Sequence, residues 1–138
     1  MKTVSEQMEL ARKAQAIVND YTQEQIDEIC LAIGWEVYED ENIAKLAKMA
    51  VEETGYGNVQ SKIIKHKRKV GGVLHDIKGA KSVGLIERNE ETGISKYAKP
   101  VGVVGAVTPP TNPIVTPMCN AMFALKGRNA IIVGPHPR

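Results

Sequence analysis

Residues 101–138 read VGVVGAVTPPTNPIVTPMCNAMFALKGRNAIIVGPHPR, and this stretch decides the fold. VGVVGAV (101–107) is seven residues without a charge, the pattern of a strand buried on both faces as in a parallel sheet. Val107-Thr108-Pro109-Pro110-Thr111-Asn112-Pro113 then places three prolines in seven residues, and they stop the strand. MCNAMFALKGRNA reads as a helix with Met118, Met122 and Leu125 on one side and Gly127 as its stop. Its start has two readings: Asn112 caps it with Pro113 at the first helical position, or Thr116 caps it with Pro117 there. AIIV (130–133) is a second buried strand, and GPHPR is the loop after it. Strand, helix and strand over about thirty residues make a βαβ unit. Two such strands lack neighbours on at least one edge, so the chain is expected to be the front part of a larger domain.

Upstream, the first eighty residues read as helices. The first runs from about Ser5 to Asp20, with Met8, Ala11, Ala14 and Val18 at helical spacing. Thr22 and Gln25 form a capping box, and Ile26, Ile29, Cys30, Ile33 and Val37 follow it as an apolar stripe. A third helix carries Ile43, Leu46, Ala47 and Ala50 and ends at Gly55. A fourth spans Asn58 to Lys78 and is expected to weaken at Gly71-Gly72. Residues 81–100 read as two short strands around NEETG, closed by Pro100. The predicted fold class is α/β, with a helical lead-in (1–80), a β-hairpin (81–100) and the first βαβ (101–138) of an incomplete Rossmann-like sheet.

The charge is uneven. Residues 1–53 hold 12 acidic and 5 basic residues, whereas 54–138 hold 4 acidic and 13 basic. The densest part is KIIKHKRK, with Lys62, Lys65, Lys67, Arg68 and Lys69. It reads as a solvated helix face; without interleaved aromatics it offers no base-stacking platform, so nucleic acid is not an expected partner. No apolar run approaches a membrane span, and no signal-peptide core precedes the first helix, so a cytoplasmic location is expected. Cys30 and Cys119 lie far apart without a CxxC pattern, which argues against a disulfide framework or a metal site.

A βαβ unit raises the question of a dinucleotide. The GxGxxG fingerprint is absent, because Gly102 and Gly105 fall inside the strand. Ligands of open α/β sheets still bind at the carboxyl ends of the strands. TPPTNP and GPHPR both sit at such ends, so they are expected at one edge. Thr111 and Asn112 supply polar groups there, and either also reads as a simple helix cap.

KPVGVVGAVTPPTNPIVTPMCNAMFALKGRNAIIVGPHPR resembles the CoA-acylating aldehyde dehydrogenases, with TNP, ALKGRNAII and PHPR as distinctive signatures. LAKMAVEETGYGNVQSKIIKH and GLIERNEETGISKYAKPVGVV are similar to the family's helical segment and hairpin. The resemblance implies a reaction in which a cysteine thiolate attacks an aldehyde, hydride passes to NAD or NADP, and coenzyme A takes the acyl group. It implies that Thr111, with Asn112 one later, stands where hydrolytic relatives keep an oxyanion-stabilising asparagine. It implies that Val107, Thr108, Pro109 and Pro110 line the cofactor, and that Gly134, Pro135 and His136 line the adenosine pocket. It also implies a homo-oligomer that uses the hairpin, and a nucleophile downstream in a separate domain. Neither Cys30 nor Cys119 matches the nucleophile's context, so the chain alone is expected to be inactive. The alternative is a non-catalytic nucleotide-binding or assembly module. The aldehyde stays open among acetaldehyde, propanal, succinate semialdehyde and sulfoacetaldehyde.

Overall fold

The computed structural model describes residues 2–137. Four helices come first: α1 (Val4–Val18), α2 (Gln23–Glu36), α3 (Asp40–Thr54) and α4 (Val59–Ile77). A hairpin of β1 (Leu85–Asn89) and β2 (Ile94–Tyr97) follows, then β3 (Val103–Val107), α5 (Val115–Lys126) and β4 (Ala130–Gly134). β3 and β4 pair in parallel with α5 between them in sequence, so the fold is α/β.

Local chemistry sets the helix ends. Thr22 closes the capping box foreseen for α2: its hydroxyl accepts from the Gln25 N–H, and the Gln25 side chain accepts from the Thr22 N–H at 2.9 Å. Thr3 and Glu6 form a second box at α1. The Asn58 side chain accepts from the Ser61 N–H at 2.9 Å and starts α4. Gly55 ends α3 in the left-handed conformation, φ 68°.

The core lies between α2, α4 and α5, where Ile26, Cys30, Val70, Ile77 and Met122 are buried together. Each large apolar side chain so buried contributes about 1.5–3 kcal/mol. A second cluster joins Ala50 of α3 to Ile114 and Val115 at the start of α5.

Three expectations change. The helix α4 runs unbroken through Gly71 and Gly72. A Cβ on Gly71 would come within 3.3 Å of the Tyr38 ring, so this glycine serves close packing. The strand β3 is not buried on both faces, and Val107 is 85% exposed. The reason is that β3 has one hydrogen-bonded neighbour, and Val107 alternates onto the face opposite the buried Ala106 and Thr108. Neither cap foreseen for α5 forms. Ile114 is its N-cap and makes no side-chain cap bond. Pro117 then falls at the third helical position, where the N–H has no intrahelical acceptor, so the proline removes no helix bond. Gly127 stops α5 as expected, but as a C-cap at φ −83° rather than in the left-handed conformation. That conformation belongs to Arg128, φ 57°.

Arg128 and Asn129 join five elements. The Arg128 guanidinium donates to Asn19 O at 2.7 Å, at the end of α1, and to Ala98 O at 3.1 Å, just past β2. The Asn129 side-chain oxygen accepts from the Val101 and Gly102 N–H groups at 2.7 and 3.0 Å, leading into β3. Both residues are buried.

Two stability predictions follow. His66 is fully buried, and its Nε2–H donates to Val37 O at 2.7 Å while Nδ1 has no partner among the described residues. Burial pushes its pKa below 6.5, outweighing the hydrogen bond to Val37. As pH falls through about 6.5 the unfolded chain protonates first, so stability is full above that value and is lost toward the lowered folded value. The urea midpoint should therefore drop between about pH 7 and about pH 5.5. His66→Gln, which keeps a donor and does not titrate, should flatten that drop, and a flat wild-type curve would refute the assignment. Glu6 and Glu24, both lowered from 4.5, act in a separate window below it. Arg128→Ala should lose about 2–3 kcal/mol in chemical unfolding, from two charged hydrogen bonds. Arg128→Gly should be about 1 kcal/mol less damaging, because it relieves the left-handed backbone.

Candidate functional site at the carboxyl ends of the strands

The parallel register places Val107 opposite Gly134, and the Thr108 N–H continues the ladder to Gly134 O at 3.0 Å. TPPTNP and GPHP therefore leave the sheet side by side. Val107, Thr108 and Gly134 are brought together, and Pro109 and Pro135 are exposed on either side. The exposure of Val107 beside Pro109 gives an apolar edge. Gly134 adds a place where a Cβ would meet only Ala106 O, at 3.9 Å. Thr108 is 3% exposed and lies beneath this edge. His136 is half-buried beyond it.

After the edge the corner tightens into a turn in which the Asn112 N–H donates to Pro109 O at 3.3 Å. Pro110 takes the position of that turn for which its fixed φ is suited. Thr111 is exposed, and its hydroxyl has no hydrogen bond among the described residues. Thr111 and Asn112 are drawn toward α4. The Lys62 ammonium donates to Thr111 O at 3.0 Å, and the Lys65 ammonium to Asn112 Oδ1 at 2.7 Å. Asn112 gives its side-chain oxygen to Lys65 and lies two residues before the N-cap of α5, Ile114.

Lys62 and Lys65 were not singled out as site residues by sequence reasoning, which took their cluster for a solvated face. Lys62 is 7% exposed. Burial lowers its pKa from 10.5, with the charge of Lys65 adding to the effect. A signal was present in the sequence. Lys62, His66 and Val70 recur at four-residue spacing, so Lys62 falls on the buried stripe of α4. A lysine at such a position needs a partner, and here the partner is the corner.

The two thiols are free, and Cys119 packs beside Ile114 and Val115 at the start of α5. Burial raises the pKa of Cys30, whose Sγ–H points to Met122 O at 3.8 Å, and of Cys119. Both are therefore held as thiols rather than as reactive thiolates. Among the described residues, no helix is long and apolar enough to cross a membrane.

Comparison with known proteins places this geometry. The pattern of the aldehyde dehydrogenase family matches residues 1–138. The chain is 87% identical over 138 residues to a sulfoacetaldehyde dehydrogenase (acylating) of Bilophila wadsworthia, covering 100% of this chain and 30% of that protein. It is 48% identical over 136 residues to a succinate-semialdehyde dehydrogenase (acetylating) of Clostridium kluyveri, covering 99% and 30%. The crystal structure of an acetylating aldehyde dehydrogenase from Geobacillus thermoglucosidasius superposes with a TM-score of 0.93 at 42% identity, over 97% of this chain and 29% of that one. Solved relatives also carry propionyl-CoA and NADP+. The chain thus spans about 30% of the length of the curated relatives it matches. With the family pattern matched along its whole length and the fold shared with acetylating enzymes, the chain belongs to the aldehyde dehydrogenase family, and its relatives are acylating members.

Proposed function

We propose that the chain contributes the cofactor-facing strand edge of an NAD(P)-dependent, CoA-acylating aldehyde dehydrogenase that converts an aldehyde and CoA to an acyl-CoA. The observation that carries this reading is the 87% identity, end to end, with an acylating sulfoacetaldehyde dehydrogenase. Sulfoacetaldehyde is accordingly the substrate we assign.

The residues present fit a dinucleotide. An exposed apolar edge at Val107 and Pro109 suits a flat ring, and the open approach at Gly134 admits a ligand close to the backbone. Val107, Thr108, Pro109 and Pro110 would hold the nicotinamide end, and Gly134, Pro135 and His136 the adenosine end. Bound there, NAD(P)+ supplies the hydride acceptor. The unbonded hydroxyl of Thr111 is a donor available to a developing oxyanion. The Lys62 and Lys65 bonds hold its backbone in place, and Asn112 acts with it as a positioning group.

The hairpin supports a homo-oligomer. Leu85, Ile94 and Tyr97 are exposed on a two-stranded sheet, and such a hairpin is marginal in water without further cover. The same observation favours the second reading, a non-catalytic nucleotide-binding or assembly module. Free thiols in both cysteines suit a reducing, cytoplasmic setting.

The complete gene product should form reduced nicotinamide from sulfoacetaldehyde only when CoA is supplied, and CoA-independent turnover would overturn the acylating reading. The 138-residue chain by itself should form none, because both of its thiols are suppressed; turnover by this chain would sink that claim. In the complete gene product, Val107→Asp should raise KM for NAD(P)+ about tenfold or more, by setting a carboxylate against the ligand. An unchanged KM would remove Val107 from the cofactor wall.

A further inference from the structure

The basic face of α4 does more than hold the corner. A hollow of about 420 Å3 runs along it, lined by Ser61, Ile64, Lys65, Arg68 and Lys69. It adjoins a second hollow of about 220 Å3 that shares Ser61 and Lys65 and reaches Lys62 and Thr111. Four cations thus border two adjoining hollows, with Lys65 common to both. Among the described residues none of the four pairs with a carboxylate, whereas Lys67 on the same helix meets Asp40 at 2.5 Å. Lys62 and Lys65 each spend one of three N–H donors on the corner, so donors remain. Positive charge left uncompensated in a recess, with a planar guanidinium at its rim, is the arrangement that recognises an oxyanion.

We propose that Lys65, Arg68 and Lys69, backed by the buried Lys62, form an anion pocket beside Thr111 and Asn112 that takes the sulfonate end of the aldehyde substrate. This rests on the acylating reading above and adds the group that selects the substrate. In sulfoacetaldehyde a single methylene separates sulfonate from aldehyde, so the anion pocket must lie within a few bonds of the reacting carbonyl. The 2.7 Å contact of Lys65 with Asn112 places a cation that close to the corner. Ile64, half-exposed in the same hollow, offers an apolar contact for the methylene. A phosphate of CoA carries the same chemistry, so the test separates the two sources.

The test uses the complete gene product and an Arg68→Met/Lys69→Met variant, whose altered side chains are exposed in α4. The ratio of kcat/KM for sulfoacetaldehyde to that for propanal should fall about tenfold or more, as expected for lost charged hydrogen bonds. An unchanged ratio overturns the proposal. So does a larger rise in KM for CoA than for sulfoacetaldehyde, which would assign the pocket to a CoA phosphate. Independently, unreactive 2-hydroxyethanesulfonate titrated calorimetrically should bind the wild-type protein and bind the variant about tenfold more weakly. No binding to the wild type overturns the pocket. Binding without any CoA-dependent turnover supports the pocket and overturns the acylating reading instead.

Discussion

Everything in this structure that matters for the site depends on two buried polar residues between α5 and β4. Asn129 accepts both N–H groups that lead into β3, and Arg128 donates to the last turn of α1 and to the chain leaving the hairpin. Without these bonds, two strands and one helix would have to hold a parallel register by themselves. A parallel pair is stabilised less per residue than an antiparallel one. The register decides whether Val107 lies opposite Gly134, so the apolar strand edge depends on the Arg128–Asn129 loop. Arg128 reaches its partners only from a left-handed backbone, which explains why so costly a conformation persists at a non-glycine residue.

The parts of the fold that were legible in the sequence are those in which one short-range rule acts alone. Thr22 and Gln25 cap α2 because both partners lie within one turn. Gly55 ends α3 because only its own backbone must bend. VGVVGAV and AIIV read as paired strands because uncharged runs of that length have few other uses. The misreadings arise where a distant residue competes with the local rule. Asn112 is a good cap by type, but Lys65 takes its oxygen from 47 positions away. The glycine pair of α4 looks like a weakness until Tyr38 is seen to pack against Gly71.

The same contrast governs the candidate site. Its apolar edge could be placed from the sequence, since strand ends in an α/β sheet share one side. Its cationic side was missed, because a cluster of five basic residues reads first as a solvated face. Lys62 stood on the apolar stripe of its own helix, and that conflict between residue type and position was the readable clue. Such conflicts mark places where stability is given up for something else.

The energetics of Lys62 carry that argument one step further. The Lys62 side chain is buried, and its ammonium meets a backbone carbonyl at the edge of the recess with Lys65 close enough to repel it. One neutral acceptor does not fully replace the hydration of a buried cation, and a like charge nearby makes the balance worse. The corner is thus held by an interaction that is itself under-compensated. An anion entering the recess relieves the repulsion between the two lysines and leaves their bonds to Thr111 and Asn112 intact. Binding and the ordering of the corner are then linked, since a ligand that favours one arrangement stabilises it by mass action. Thr111 and Asn112 would then be held most firmly when an anion occupies the recess.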